Sequence, residues 1–288
     1  MRMPDGPLPP TLLVVGLGII SSLGWGIADF GGGVTSRKAP VVGVLFTSQA
    51  ASLVVAVPLF LLAGESTMTP VEYGLAAIAG VLSAAGLGTL YRGLSVGRMG
   101  VVAPVAAVIT AALPVTYGFL TEGIPSELAI IGIAAAVVSV LLVSRTPDAG
   151  DGRPSGLRYG VATGFIFGLF PIVTSAISDD VLVAPVVTVR VASVLTIAAF
   201  VLLRRPQWRV PNRLLPVLLG IGLTDMLATA TFLAAIAVGP LAIAAVLQSL
   251  YPVVTVILAW AILKERITPV QAGGILAAGT AVVLIAIA

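Results

Sequence analysis

The chain has 288 residues, of which 58% are hydrophobic and only 9% charged, and its mean hydropathy of +1.14 lies far from soluble domains, where about a quarter of residues are charged. With neither cysteine nor histidine, it has no disulfide or thiolate chemistry, no Ser-His or Cys-His catalysis and no imidazole or thiolate metal ligand. The net charge of +3 comes from loop arginines, without the basic, aromatic-interleaved stripe of a nucleic-acid surface.

Apolar runs close to the ~20 residues needed to cross about 30 Å of hydrocarbon recur ten times. They predict helices over 12–30, 41–62, 74–97, 100–119, 127–144, 157–177, 184–203, 214–238, 241–263 and 269–287, since lipid offers backbone groups no other partners. The first run has no small-residue cleavage site after its core and is expected to be retained as a helix. It carries Ser21, Ser22 and Trp25 at mid-depth and Asp29 at its inner end. Gln49 lies on the second run, and Tyr91 and Arg92 on the third. Asp29 and Arg92 fall at similar depth and are gate candidates, with snorkelling to headgroups as the alternative.

Pro104 and Pro114 interrupt the fourth run, Pro171 the sixth and Pro252 the ninth. Each lacks an amide donor and frees the carbonyl four residues earlier. Freed carbonyls at membrane depth must face protein or water. The fourth, sixth and ninth helices are therefore expected beside a cavity, with these four prolines as hinge candidates. Residues 145–156 form a polar linker between two halves, 1–144 and 157–288.

The sixth run carries Phe165 and Phe170, and Gly160, Gly164 and Gly168 form a small-residue ridge on it that lets a neighbour approach closely. Arg190 on the seventh run and Asp225 on the eighth each cost about 2.5–3.5 kcal/mol at a helix centre. At about 1.5 Å per residue they lie roughly 9 and 14 Å below the outer end, close enough to pair. They read as a structural link, as part of a substrate path, or, for Asp225, as a site for a coupling proton. Gln248 and Tyr251 on the ninth run share a helix face, and Ser249 lies between them. An amide and a phenol facing a cavity suit a polar-headed or zwitterionic solute, with Trp25 and the phenylalanines against its apolar part. The alternative is interhelical hydrogen bonding and interface aromatics. The substrate-facing candidates are Trp25, Gln49, Tyr91, Phe165, Phe170, Arg190, Asp225, Gln248 and Tyr251.

Numbering the faces alternately, one face collects Arg37, Lys38, Arg98, Arg145, Arg153, Arg158, Arg204, Arg205, Arg209, Arg213, Lys264 and Arg266, against Arg2 alone on the other. The positive-inside rule makes the rich face cytoplasmic and leaves both termini outside. The halves also echo each other: Glu122 answers Glu265, Ile124 answers Ile267, and Gly132 answers Gly274 at an offset near 142 residues. Five helices per unit is odd, so the second unit crosses the bilayer upside down. The predicted fold is all-α, ten transmembrane helices as two inverted five-helix repeats around a central cavity, the layout of secondary transporters.

The segments LSVGRMGVVAPVAAVITAALPV (94–115) and AIAVGPLAIAAVLQSLYPVVTVILAWAILKERITPVQAGGI (235–275) resemble the two EamA repeats of the drug/metabolite transporter superfamily. The sharpest piece is Lys264 to Gly274, with Glu265, Pro269, Gln271 and Gly274 at the matching positions. The first repeat departs from the pattern at Glu122, which lacks basic neighbours, and no role is assigned to it. The resemblance implies a ten-helix basket in a family rich in exporters of amino acids and other small metabolites. The expected function is export of such metabolites, amino acids foremost, across the cytoplasmic membrane by alternating access. Multidrug or organic-cation efflux, small-solute uptake and a binding-only receptor are the alternatives. No enzyme activity, cofactor or metal is expected; the partners are a small solute, the bilayer and a candidate coupling proton, and a monomer suffices.

Overall fold

The computed structural model describes residues 9–36, 38–65, 67–96, 99–143, 156–178, 180–264 and 267–287. The predicted linker lies almost wholly outside the described residues, as do Arg98, Glu265 and Arg266. Among the described residues every regular element is helical: α1 (Pro10–Ser36), α2 (Val41–Ala63), α3 (Pro70–Val96), α4 (Met99–Thr121), α5 (Glu127–Val143), α6 (Leu157–Thr174), α7 (Val183–Arg204), α8 (Leu215–Val238, entered through a 3-10 turn at Asn212–Leu214), α9 (Leu241–Gln248), α10 (Tyr251–Leu263) and α11 (Pro269–Ala286). Among the described residues seven spans are long and apolar enough to cross a membrane, with α9 and α10 forming one of them, and three shorter helices are also apolar.

Local chemistry sets the ends. α11 starts with a capping box in which the Gln271 amide donates to Thr268 Oγ1 at 3.2 Å and the Thr268 amide to Gln271 Oε1 at 3.0 Å. α3 starts the same way, with the Thr69 amide donating to Glu72 Oε2 at 2.7 Å. Each arrangement satisfies amides that a helix N-terminus leaves without intrahelical partners. α2 stops on Gly64 at φ +59°, a left-handed conformation that a residue without Cβ adopts freely.

The ninth predicted helix is not continuous. It breaks after Gln248, and the Leu250 amide donates back three residues to Leu247 (3.2 Å), as does Val253 to Leu250 (2.9 Å). Pro252 has no amide to give the Gln248 carbonyl, so the ladder must shift there. The other three prolines act differently from expectation: α4 runs unbroken through Pro104 and Pro114, and α6 through Pro171. A missing bond in mid-helix is tolerated where neighbouring turns hold their own ladder.

The surface is the reverse of a soluble protein's. Leu62 and Leu203 are more than four-fifths exposed, a belt that only lipid solvates favourably. The α9–α10 span is the enclosed one, 67% buried against 33–44% in the other long spans; α9 is buried on all sides, as expected of a helix apolar all round. α1 packs on α8, α9 and α10; α6 packs on α3 and α4; α2 meets α7 and α8; α3 meets α7; and α5 pairs with α11. Small residues set these crossings. A Cβ on Gly80 of α3 would lie 2.4 Å from the Val189 carbonyl oxygen of α7, and one on Gly222 of α8 only 2.0 Å from that of Ser48 on α2. Gly132 of α5 is closed over by Ile285 of α11, and Gly274 of α11 by Val143 of α5. Ser139 ties the same pair by donating to the Gly274 carbonyl at 2.7 Å.

Candidate functional site

α1, α3, α4, α6, α8, α9 and α10 converge on a partly open cavity of about 80 Å³. Trp25 and Asp29 reach it from α1, Ser83 and Leu87 from α3, Thr110 from α4, Phe167 and Phe170 from α6, Asp225 and Thr229 from α8, Gln248 from α9 and Tyr251 from α10. Its aromatic wall is itself packed: Trp25 meets Phe170 edge-on with centroids 6.5 Å apart and Phe232 at 5.7 Å, so the indole is held from two sides.

Arg190 and Asp225 are ion-paired. The guanidinium is 1% exposed and lies behind the cavity wall. Its Nη1 donates to Asp225 Oδ2 and to Gln49 Oε1 (2.6 Å), and its Nη2 to the Asp225 carbonyl (2.9 Å) and to Thr229 Oγ1. Gln49 Nε2 completes the ring by donating to Asp225 Oδ2 at 2.8 Å. α2, α7 and α8 are thus joined around one buried cation, which compensates the desolvation that an isolated charge would suffer.

Several cavity groups have no such partners. Among the described residues, Asp29 makes no hydrogen bond or ion pair, and the Gln248 side chain, 5% exposed, makes no hydrogen bond. The Thr110 hydroxyl is buried without a partner. Buried polar groups are normally satisfied, so these three are the ones that a bound solute or solvent would complete.

Of the sequence candidates, Trp25, Phe170, Asp225, Gln248 and Tyr251 line the cavity. Gln49 and Arg190 lie behind its wall. Tyr91 packs instead with Leu45, Ala84 and Ile197, its hydroxyl held against Gly32 of α1. Phe165 is a correction: it is 49% exposed on the outer face of α6, and Phe167, two residues on and therefore on the opposite side of the helix, reaches the cavity in its place. Of the two gate candidates, Asp29 lines the cavity, whereas the Arg92 side chain is exposed. Pro114 and Pro171 are buried within their helices, away from any break.

The cation-poor face holds contacts that the sequence analysis missed. Both Glu65 oxygens accept from the amides of Leu182, Val183 and Ala184 at 2.9–3.0 Å, capping α7 from the α2–α3 loop. Glu72 accepts from the amide (2.9 Å) and the hydroxyl of Ser178. Glu122 accepts from the Leu241 amide at the start of α9 (2.9 Å). Burial pushes the Glu122 carboxyl above its ordinary value, and the Leu241 amide partly opposes this. Carboxylates at helix N-termini meet unsatisfied amides and the positive dipole end. The signal in the sequence was three glutamates on the cation-poor face without basic neighbours.

Seven long apolar spans among the described residues, with a polar-lined cavity between the helices, define an integral membrane protein with an internal cavity. Residues 154–287 match the model of the EamA-like transporter family, whose members are membrane transporters. Comparison with curated proteins gave no match. A solved crystal structure is similar in fold, with a TM-score of 0.74 at 17% identity over 94% of this chain and 95% of that one. The likeness therefore extends beyond the matched half, as a likeness of fold.

Proposed function

We propose that the whole chain is an EamA-type member of the drug/metabolite transporter superfamily, a secondary transporter that exports small metabolites, amino acids foremost, across the cytoplasmic membrane. The observation that carries this is the cavity, to which both halves of the chain contribute and whose walls hold polar groups without partners. Ten spans in two inverted repeats are supported by reciprocal contacts. Gly132 against Ile285 and Gly274 against Val143 are one contact seen twice at an offset of 142, and Gly80 on α7 corresponds in the same way to Gly222 on α2. Such a pseudo-twofold lets one half rock on the other around a fixed site. The glutamate clasps join the two halves on the face assigned as outer, so opening to that side requires their release. Pro252 is the hinge with an existing break, and protons are the candidate coupling ion.

The test is counterflow in proteoliposomes with labelled amino acids, sugars and organic cations. Saturable exchange of amino acids, slowed in Pro252→Ala without loss of binding, is the expected result. Binding without exchange of any class would replace the transporter with a receptor. Organic-cation efflux is the second reading, favoured by Asp29, a cavity carboxylate without a cationic partner among the described residues.

A further inference from the structure

Two carboxylates reach the cavity, and they are not equivalent. Asp225 Oδ2 is occupied by Arg190 and Gln49. Asp29 has neither a hydrogen bond nor an ion pair among the described residues. No lysine or arginine is among the residues that line the cavity, and the Arg190 guanidinium, which pairs with Asp225 from behind the wall, has both terminal nitrogens committed to Gln49, Asp225 and Thr229 and is 1% exposed. An organic anion entering this space would meet a free carboxylate and no available positive charge. A solute ammonium would meet Asp29, with the aromatic residues Trp25 and Tyr251 also lining the cavity, a combination that suits desolvated cations.

The rest of the polar lining is neutral. The Gln248 amide both donates and accepts, and the partnerless Thr110 hydroxyl does the same. They can serve a carboxylate or hydroxyl attached to the carbon that bears the ammonium, but neither supplies charge.

We infer that Asp29 is the substrate's ammonium anchor, so that the cavity takes small amines and amino acids with an apolar body and rejects organic anions. This rests on the transporter reading only for the claim that the bound solute moves. Asp29 is a specificity-determining residue here.

The test uses four solutes with one branched apolar body and different heads: leucine, isopentylamine, 4-methylpentanoate and 3-methylbutanol. Binding to the full chain in lipid nanodiscs is measured by calorimetry, and exchange in proteoliposomes, for the wild type, Asp29→Asn and Asp29→Glu. The two ammonium-bearing solutes are expected to bind at least tenfold more tightly than the anion and the alcohol. Asp29→Asn should abolish that preference while elution volume and melting temperature stay native, and Asp29→Glu should retain part of it. Failure of both ammonium probes to bind, tighter binding of 4-methylpentanoate, or an unchanged preference in Asp29→Asn overturns the anchor. Exchange that does not depend on Asp29 would overturn the anchor and leave the transporter; binding that depends on Asp29 without exchange would do the reverse.

Discussion

Arg190 shows how much a single residue can organise at membrane depth. It spends its two terminal nitrogens on three side chains and one carbonyl from two other helices, and its Nε remains without a partner. Removing one member of a buried pair leaves the other charge uncompensated, at about 3–5 kcal/mol. Asp225→Ala should therefore lower the melting temperature in detergent steeply, whereas Arg190→Met combined with Asp225→Leu should recover most of the loss. A double variant as unstable as the single one would show that the helices need the polar link itself. The pair was legible because charges inside apolar runs are conspicuous. Gln49 and Thr229 were not legible as its partners, because nothing local marks which polar residues of α2 and α8 share its depth and facing. Phe165 and Phe167 make the same point: α6 is apolar on every side, so no periodicity says which ring faces inward.

At the scale of elements, helix positions could be read to within a few residues, since each run is bounded by prolines, glycines or charges. The break between α9 and α10 was foreshadowed by Pro252. Pro104, Pro114 and Pro171 carried the same signal without a break, because whether a helix opens at proline depends on what packs around it. Adjacent glycines on α11 separate packing from propensity. A Cβ on Gly273 meets nothing within 4 Å, while one on Gly274 would lie 2.8 Å from the Val143 amide nitrogen. Gly273→Ala should stabilise by about 0.5–1 kcal/mol, the usual helix-interior gain. Gly274→Ala should destabilise by about 1–3 kcal/mol, because the α5–α11 crossing must open. Thermal unfolding of the two variants in one detergent reads the contrast, and equal shifts would mean that the helices are further apart than the structure has them.

For the molecule as a whole, the proposed duplication and the proposed orientation rest on different residues. The duplication rests on glycines: Gly80 with Gly222, and Gly132 with Gly274, meet neighbours at corresponding positions in opposite halves. The charges do not repeat, since cations gather in the loops of one face, and the clasping glutamates Glu65, Glu72 and Glu122 belong to the other. The clasps escaped the sequence analysis because they join segments more than a hundred residues apart, and no local pattern encodes the approach. Orientation is open to a direct experiment because the chain has no cysteine, so a single introduced thiol reports alone. Thr67 and Gln207 are both exposed, in the α2–α3 and α7–α8 loops respectively. If basic loops remain cytoplasmic, a membrane-impermeant maleimide applied to intact cells should label Thr67→Cys and spare Gln207→Cys until the membrane is permeabilised. The opposite pattern would invert the molecule, placing the glutamate clasps on the cytoplasmic side and reversing which opening they restrain.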